Sequence, residues 1–376
     1  MTILQFTLPQ HPSLGGIYVT QGAFKKILNS KIVEIVPSQL RGKTEGDYQI
    51  ELFGAGGFKG NLLPKNFFDL MSHLESLDVN LVIIHSLFHL HAIAGYWLAK
   101  KKKIPYVFVP HGTLDPYVFS YRALRKNLWM SLVGNKIIQD STAVICSTLI
   151  ESQKASKYLD GNNVEICHWS VNTPNLDEIS VWRNEIRNRL DIPSEQRVLI
   201  FIGRLNHMKR PLETALAFKQ LQPKDWRLLI VGPPEEDNLA RDIKNLCDGQ
   251  YIQYYPPVYG LDKWKFLAAA DAFICLSHRE NFGRSVVEAA AVGMPIIISD
   301  GVDIYPILQE AGGSDVINIK FQSDLIKGLD LFLQKPVSIH KEMGQKAHKC
   351  FKENFTESYF RDKLNNLISK YEILNS

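Results

Sequence analysis

The sequence predicts an α/β protein made of two successive doubly wound domains, each a parallel sheet covered by helices on both faces. Three observations carry that expectation. Short runs rich in Ile, Val, Leu and Phe alternate with segments of helical periodicity along nearly the whole chain. The alternation stops once, at residues 170–180, where Pro174 and several Asn and Asp residues interrupt the apolar pattern, and it restarts near Val198. A length of 376 residues also suits two domains, at about 100–200 residues each.

In the first half, strand-like runs are expected at residues 3–8, 32–36, 50–52, 81–85, 106–110, 143–146 and 164–167. A Gly15-Gly16 loop and a helix reaching Leu28 follow the first strand; further helices are expected at 63–77, 92–102 and 121–138. After the hinge come strands at 198–202, 227–231, 252–254, 272–276 and 296–299. They are separated by helices ending at Leu221, spanning 236–247 and 261–270, and opening at Gly283. The tail repeats apolar residues at helical spacing: Tyr359, Leu364, Leu367, Ile368 and Tyr371. The expected boundaries are therefore 1–171, 172–355 and a closing helix in 356–376. Two such domains in series leave a cleft between the carboxyl ends of their sheets, where ligands of this class of fold bind.

Composition narrows the setting. Hydrophobic residues at 45% and charged residues at 22% suffice for two cores and exclude wholesale disorder. No apolar run approaches the ~18 residues of a spanning helix, and MTILQFTLPQ lacks the basic start of a secretory signal. Cys146, Cys167, Cys247, Cys275 and Cys350 are dispersed, which reads as reduced thiols in the cytoplasm. A net charge of +4 is too small to argue for nucleic acid. The excess of cations lies in residues 1–171. There Lys100–Lys103 cluster, and Arg122, Arg125 and Lys126 are interleaved with Tyr117, Phe119, Tyr121 and Trp129. That pattern fits peripheral contact with an anionic membrane face, or a solvated helix end beside a core stripe.

The chemistry concentrates in FICLSHRENFGRSVVEAAAVGMPIIIS, residues 273–299. A buried strand breaks at Ser277-His278-Arg279-Glu280, and an Ala-rich helix opens at Gly283. Amides at a helix start, here around Gly283, Arg284 and Ser285, favour a phosphate or diphosphate. Glu280 and Glu288 bracket that site, and carboxylates accept hydrogen bonds from sugar hydroxyls. Hydroxyls on both sides of a diphosphate describe a nucleotide-sugar. Upstream, the strand at 198–202 ends in Gly203-Arg204-Leu205-Asn206-His207-Met208-Lys209, placing two cations at the mouth of the same sheet. Paired cations stabilise a departing diphosphate more than the bound one.

Ser277, Glu280, Phe282, Gly283, Glu288, Ala289, Gly293 and Pro295 stand in the register of the E-x7-E signature. The stretch resembles that of the retaining glycosyltransferases of family four, which have the GT-B fold: two Rossmann-like domains facing across a cleft. Asn281 replaces the commoner Gly, and Arg284 stands where an apolar residue is frequent. Arg204 and Lys209 match that family's phosphate-binding pair. Pro110-His111-Gly112-Thr113-Leu114-Asp115-Pro116 is similar to a group of bacterial members that build surface polysaccharides.

The resemblance implies a hexosyltransferase with catalytic His111, Arg204, Lys209 and Glu280. It implies donor binding by Gly15, Gly16, Asn281, Phe282, Gly283, Arg284, Ser285 and Glu288. Val258 and Tyr259 either flank the base or form a turn with a core aromatic. The expected donor is a UDP-sugar, with a GDP-sugar as alternative, and the acceptor a saccharide or lipid-linked hydroxyl. No cofactor and no metal are expected: Asp-x-Asp is absent, and His85, His89 and His91 have no accompanying cysteine or carboxylate cluster. Rival readings are a nucleotide-sugar epimerase or hydrolase, and a non-catalytic donor-binding subunit.

Overall fold

The computed structural model describes residues 2–10, 15–37, 43–52 and 67–370. It divides into two compact units, Met1–Ser170 with Ser358–Ser376, and Val171–Glu357. The first unit contains β1 (Thr2–Thr7), β2 (Lys31–Pro37), β3 (Tyr48–Leu52), β4 (Val79–His85), β5 (Tyr106–Val109), β6 (Ala143–Cys146) and β7 (Val164–Ile166). They form one parallel sheet in the order β3-β2-β1-β4-β5-β6-β7. The second contains β8 (Arg197–Ile202), β9 (Trp226–Val231), β10 (Ile252–Tyr255), β11 (Ala272–Cys275), β12 (Ile296–Ser299) and β13 (Ser314–Ile317). Its order is β10-β9-β8-β11-β12-β13, again parallel.

Both orders reverse direction once, between β1 and β4 and between β8 and β11. Loops leaving the carboxyl ends of those neighbours diverge, and the divergence opens a crevice for a ligand. The central strands are apolar along both faces because helices cover both. Leu4, Phe6, Ile84 and Phe108 are fully enclosed in the first core, and Leu199, Phe201, Ile230, Ile274 and Ile297 in the second.

Several elements differ from the sequence reading. A helix, Ile179–Arg189, begins within the expected hinge and buries Trp182, Ile186 and Arg187. The Arg187 guanidinium donates to the carbonyls of Pro193 and Gln196 and pairs with Asp271, so a charged residue occupies a core-facing position and hides the apolar stripe. The expected helix 121–138 is composite. Pro116–Ser120 stands alone, capped by the Asp115 carboxylate. Ala123–Trp129 then runs through a π-helical turn, Met130–Gly134, into Asn135–Gln139. A Cβ on Gly134 would lie 2.7 Å from the Met130 sulfur, so the wide turn is packed closely there.

Of the expected helix 63–77, Phe67–Ser76 is described, and residues 63–66 lie outside the described residues. The tail forms two helices, Val337–Asn354 and Glu357–Lys370. Phe360 of the second packs edge-on against Phe24 at 5.1 Å and Trp169 at 5.9 Å, inside the first unit. Tyr371 lies outside the described residues. No described helix is long and apolar enough to cross a membrane.

The carboxyl ends of β8 and β9 touch through glycine. Gly203 donates its amide to Val231, and a Cβ on Gly232 would lie 1.8 Å from the Gly203 carbonyl oxygen. Gly232→Ala must therefore push the two strand ends apart. The expected cost is about 1–3 kcal/mol, read as a lower thermal midpoint by circular dichroism.

Candidate functional site

The loop leaving β8 is shaped by its own residues. The Asn206 side chain accepts from the Lys209 amide at 3.1 Å and so caps the single 3₁₀ turn His207–Lys209. That turn places Lys209 on the side of the neighbouring strand β11, while Arg204 stays exposed. Arg204 Nη1 donates to Glu235 Oε1 at 2.6 Å, and Asn206 Nδ2 donates to the other oxygen of the same carboxylate at 2.5 Å. Glu235 lies just beyond the carboxyl end of β9. Burial works to raise its pKa, and the hydrogen bonds from Asn206 and Arg204 outweigh that, holding it below the usual carboxylate range.

The loop leaving β11 meets the first loop directly. Its His278 amide donates to the Met208 carbonyl at 2.8 Å. From the far side, the Glu280 amide donates to Gly301, and the Glu280 carbonyl accepts from Asp303. Gly301 is required for this approach, since a Cβ there would lie 2.4 Å from the carbonyl oxygens of Ser277 and His278. Held between these neighbours, the Glu280 carboxylate pairs with Lys209 Nζ, both side chains being partly buried. Desolvation works against the Lys209 ammonium, and the adjacent Glu280 charge outweighs it, so the pKa rises. Arg204 pushes the same pKa down, which puts both cations in one electrostatic field.

Gly283, at φ 78°, caps the helix Arg284–Ala291 from a left-handed conformation that favours glycine. The helix start brings the partial positive charge of its first turn to the switch point. Glu288, one turn in, is buried, and its carboxylate is held by Lys263 Nζ at 2.5 Å. Arg284 beside it is desolvated, which lowers its pKa, and the Glu288 charge opposes that shift. Phe282 is a core residue packed against Phe355 at 6.1 Å. Tyr259 is exposed at the start of helix Gly260–Ala269, and Val258 beside it is half-buried.

In the first unit, His111 follows β5 with φ 51° and Gly112 with φ 72°. Two consecutive left-handed residues need outside support, and a buried carboxylate supplies it. Glu151 accepts from the Gly112 amide at 2.5 Å and from both the amide and hydroxyl of Ser147 at 2.6 Å. On its other side the His111 ring stacks on His85, with Nε2 2.9 Å from His85 Nδ1. His85 Nε2 in turn meets Gln5 Oε1 at 2.8 Å, and Gln5 Nε2 donates to Ser30. Desolvation pushes the His111 pKa down to about 3, so the ring is neutral at ordinary pH. Gly15, at φ 60°, precedes the helix Gly16–Leu28, and a Cβ there would meet nothing within 4 Å.

Arg204, Lys209, Glu280 and the Gly283 helix start are thus brought to the neighbouring carboxyl ends of β8 and β11, with Glu288 in the helix that follows. Glu235, Asn206, Lys263 and Glu151 complete these groups and carry no assignment from sequence, while His85, one of three histidines weighed as metal or acceptor-cleft residues, stacks on His111. Glu235 follows Gly232-Pro233-Pro234 at a strand end, a signal that acquires meaning only once β9 is known to adjoin β8. Lys263 has no local signal.

Residues 183–350 match the family model of glycosyl transferases group 1, and residues 38–173 match that of glycosyltransferase family 4. The N-acetyl-alpha-D-glucosaminyl L-malate synthase of Bacillus anthracis is 24% identical over 306 residues, covering 78% of this chain and 74% of that one. A D-inositol 3-phosphate glycosyltransferase of Streptosporangium roseum is 24% identical over 280 residues, covering 68% and 62%. The chain spans 49% of the length of a further relative from Bacillus subtilis. Among solved structures, Anabaena HepE in complex with UDP and glucose has a TM-score of 0.75 at 16% identity, covering 98% of this chain and all of that one. At that identity the likeness is one of fold. The six-stranded sheet lies within the segment matched by the group 1 model, the family 4 model covers part of the first unit, and the two Rossmann-like parallel sheets give the chain the GT-B glycosyltransferase fold.

Proposed function

We propose that the protein is a retaining glycosyltransferase that moves a hexose from a nucleotide-sugar, preferably a UDP-sugar, to a hydroxyl acceptor in polysaccharide or glycolipid synthesis. The observation that carries this reading is the convergence of Arg204, Lys209 and Glu280 at the β8/β11 switch point, beside the helix start at Gly283. Anabaena HepE, of the same fold, is bound to UDP and glucose, which supports a UDP-hexose. The glucosaminyl and inositol-phosphate relatives support transfer of a sugar to a hydroxyl.

In this mechanism Arg204 and Lys209 grip the diphosphate, aided by amides of the Gly283–Ser285 turn. They provide the charge stabilisation that a divalent ion supplies in other glycosyltransferases. Glu280 and Asn281 orient the donor sugar, Glu288 accepts from the ribose hydroxyls, and Val258 and Tyr259 border the base. Within the first unit, Gly15 and Gly16 leave room for a phosphate, and neutral His111 offers a hydrogen bond to a sugar hydroxyl. The bond from the anomeric carbon to phosphate oxygen breaks while the acceptor oxygen bonds to that carbon on the same face. The acceptor proton passes to the departing phosphate oxygen, and the anomeric configuration is kept. Phe282 supports the loop from the core.

Lys209→Met and Glu280→Gln should each lower kcat/KM about 10²–10³-fold with far-UV circular dichroism unchanged; near-normal turnover in either overturns these roles. UDP should raise the melting temperature of the second unit more than GDP does at equal concentration, and a larger shift with GDP would reassign the base. Glu235 competes with the donor for Arg204, so Glu235→Gln should bind UDP about 2–5-fold more tightly, as expected from release of an exposed ion pair. Calorimetric titration reads that change.

A further inference from the structure

From Pro116 to Gln139 the chain carries four cations, Arg122, Arg125, Lys126 and Lys136, and no Asp or Glu. Its composite helix buries Met130, Gly134, Ile137 and Ile138 against the core of the first unit. That face already accounts for the helix packing. On the outward side, Leu124, Leu128 and Leu132, spaced four apart, are 87%, 60% and 69% exposed, and Tyr121 is 63% exposed. Single exposed apolar side chains are ordinary, but a continuous leucine stripe along a helix that is packed on its other side marks a contact surface.

The cations are arranged around this stripe. The Arg122 guanidinium lies 5.0 Å from the Tyr121 ring, and Lys126 Nζ lies 5.8 Å from the same ring while donating to the Val118 carbonyl. Arg125 and Lys136 are exposed alongside. We propose that this face docks on an anionic lipid surface, with the helix from Ala123 to Gln139 lying in the plane of the interface. Leucines enter the acyl boundary, tyrosines sit at headgroup level, and the cations meet lipid phosphates. Charge favours a membrane over another protein copy, because a second copy would bring the same four cations against these. The inference is independent of the sugar-transfer reading.

The test uses the full chain with phosphatidylcholine vesicles, with and without phosphatidylglycerol. The wild type should co-sediment with the anionic vesicles, less so as salt is raised. Leu124→Ser/Leu128→Ser should partition at least about tenfold less, with unchanged circular dichroism and melting. Arg122→Gln/Arg125→Gln should lose the preference for phosphatidylglycerol. Absence of wild-type binding to anionic vesicles, or equal binding by the leucine variant, overturns the proposal. So does a concentration-dependent dimer in sedimentation velocity that the leucine variant abolishes, since the face would then belong to a second copy.

Discussion

The ion pair between Lys209 and Glu280 holds the second unit's site in shape. Each charge sits partly buried at the end of a different strand, where an unpaired charge would be costly. The pair is possible because β8 and β11 are neighbours in the sheet although 69 residues separate Ile202 from Ala272. Backbone contacts reinforce the pairing: His278 binds Met208, and the Gly301–Asp303 segment grips Glu280 from behind. Glycine at 301 and 232 allows main chains to approach where any side chain would collide. The result is a preorganised cluster in which two ion pairs, Lys209 with Glu280 and Arg204 with Glu235, stand at the carboxyl ends of neighbouring strands.

The first unit solves a comparable problem with neutral groups. His111 and Gly112 both adopt left-handed backbone conformations, which cost energy at a histidine. Glu151 offsets that cost by accepting three hydrogen bonds from the Gly112 and Ser147 groups. The ring itself is aligned by His85, His85 by Gln5, and Gln5 by Ser30. Desolvation keeps these imidazoles uncharged. One unit thus presents fixed cations and the other an oriented, neutral imidazole.

Much of this was legible in the chain itself. Alternating apolar strands and helical periods specified two doubly wound domains, because strands buried on both faces must be apolar throughout. Gly203-Arg204 through Lys209 and Glu280 through Glu288 could be placed at strand carboxyl ends, since each motif directly follows an apolar run and that pattern is local. The helix Ile179–Arg189 was not legible: Arg187 occupies a buried position satisfied by the carbonyls of Pro193 and Gln196 and by Asp271, so periodicity failed. The π-helical turn at Met130–Gly134 was also hidden, because the apolar spacing there reads as one continuous helix.

Sequence alone determined the order of elements, the family-like motifs and the excess of cations in the first half, all properties of near neighbours along the chain. Only tertiary structure decided which charges meet. Strand order brings Glu235 to Arg204, Lys263 to Glu288 and Glu151 to Gly112, pairs between 25 and 39 residues apart. It also decided that Leu124, Leu128 and Leu132 face outward, because the opposite face of the same helix fills the core. Partners of this kind are selected by distance in space, and a one-dimensional pattern carries no record of that distance.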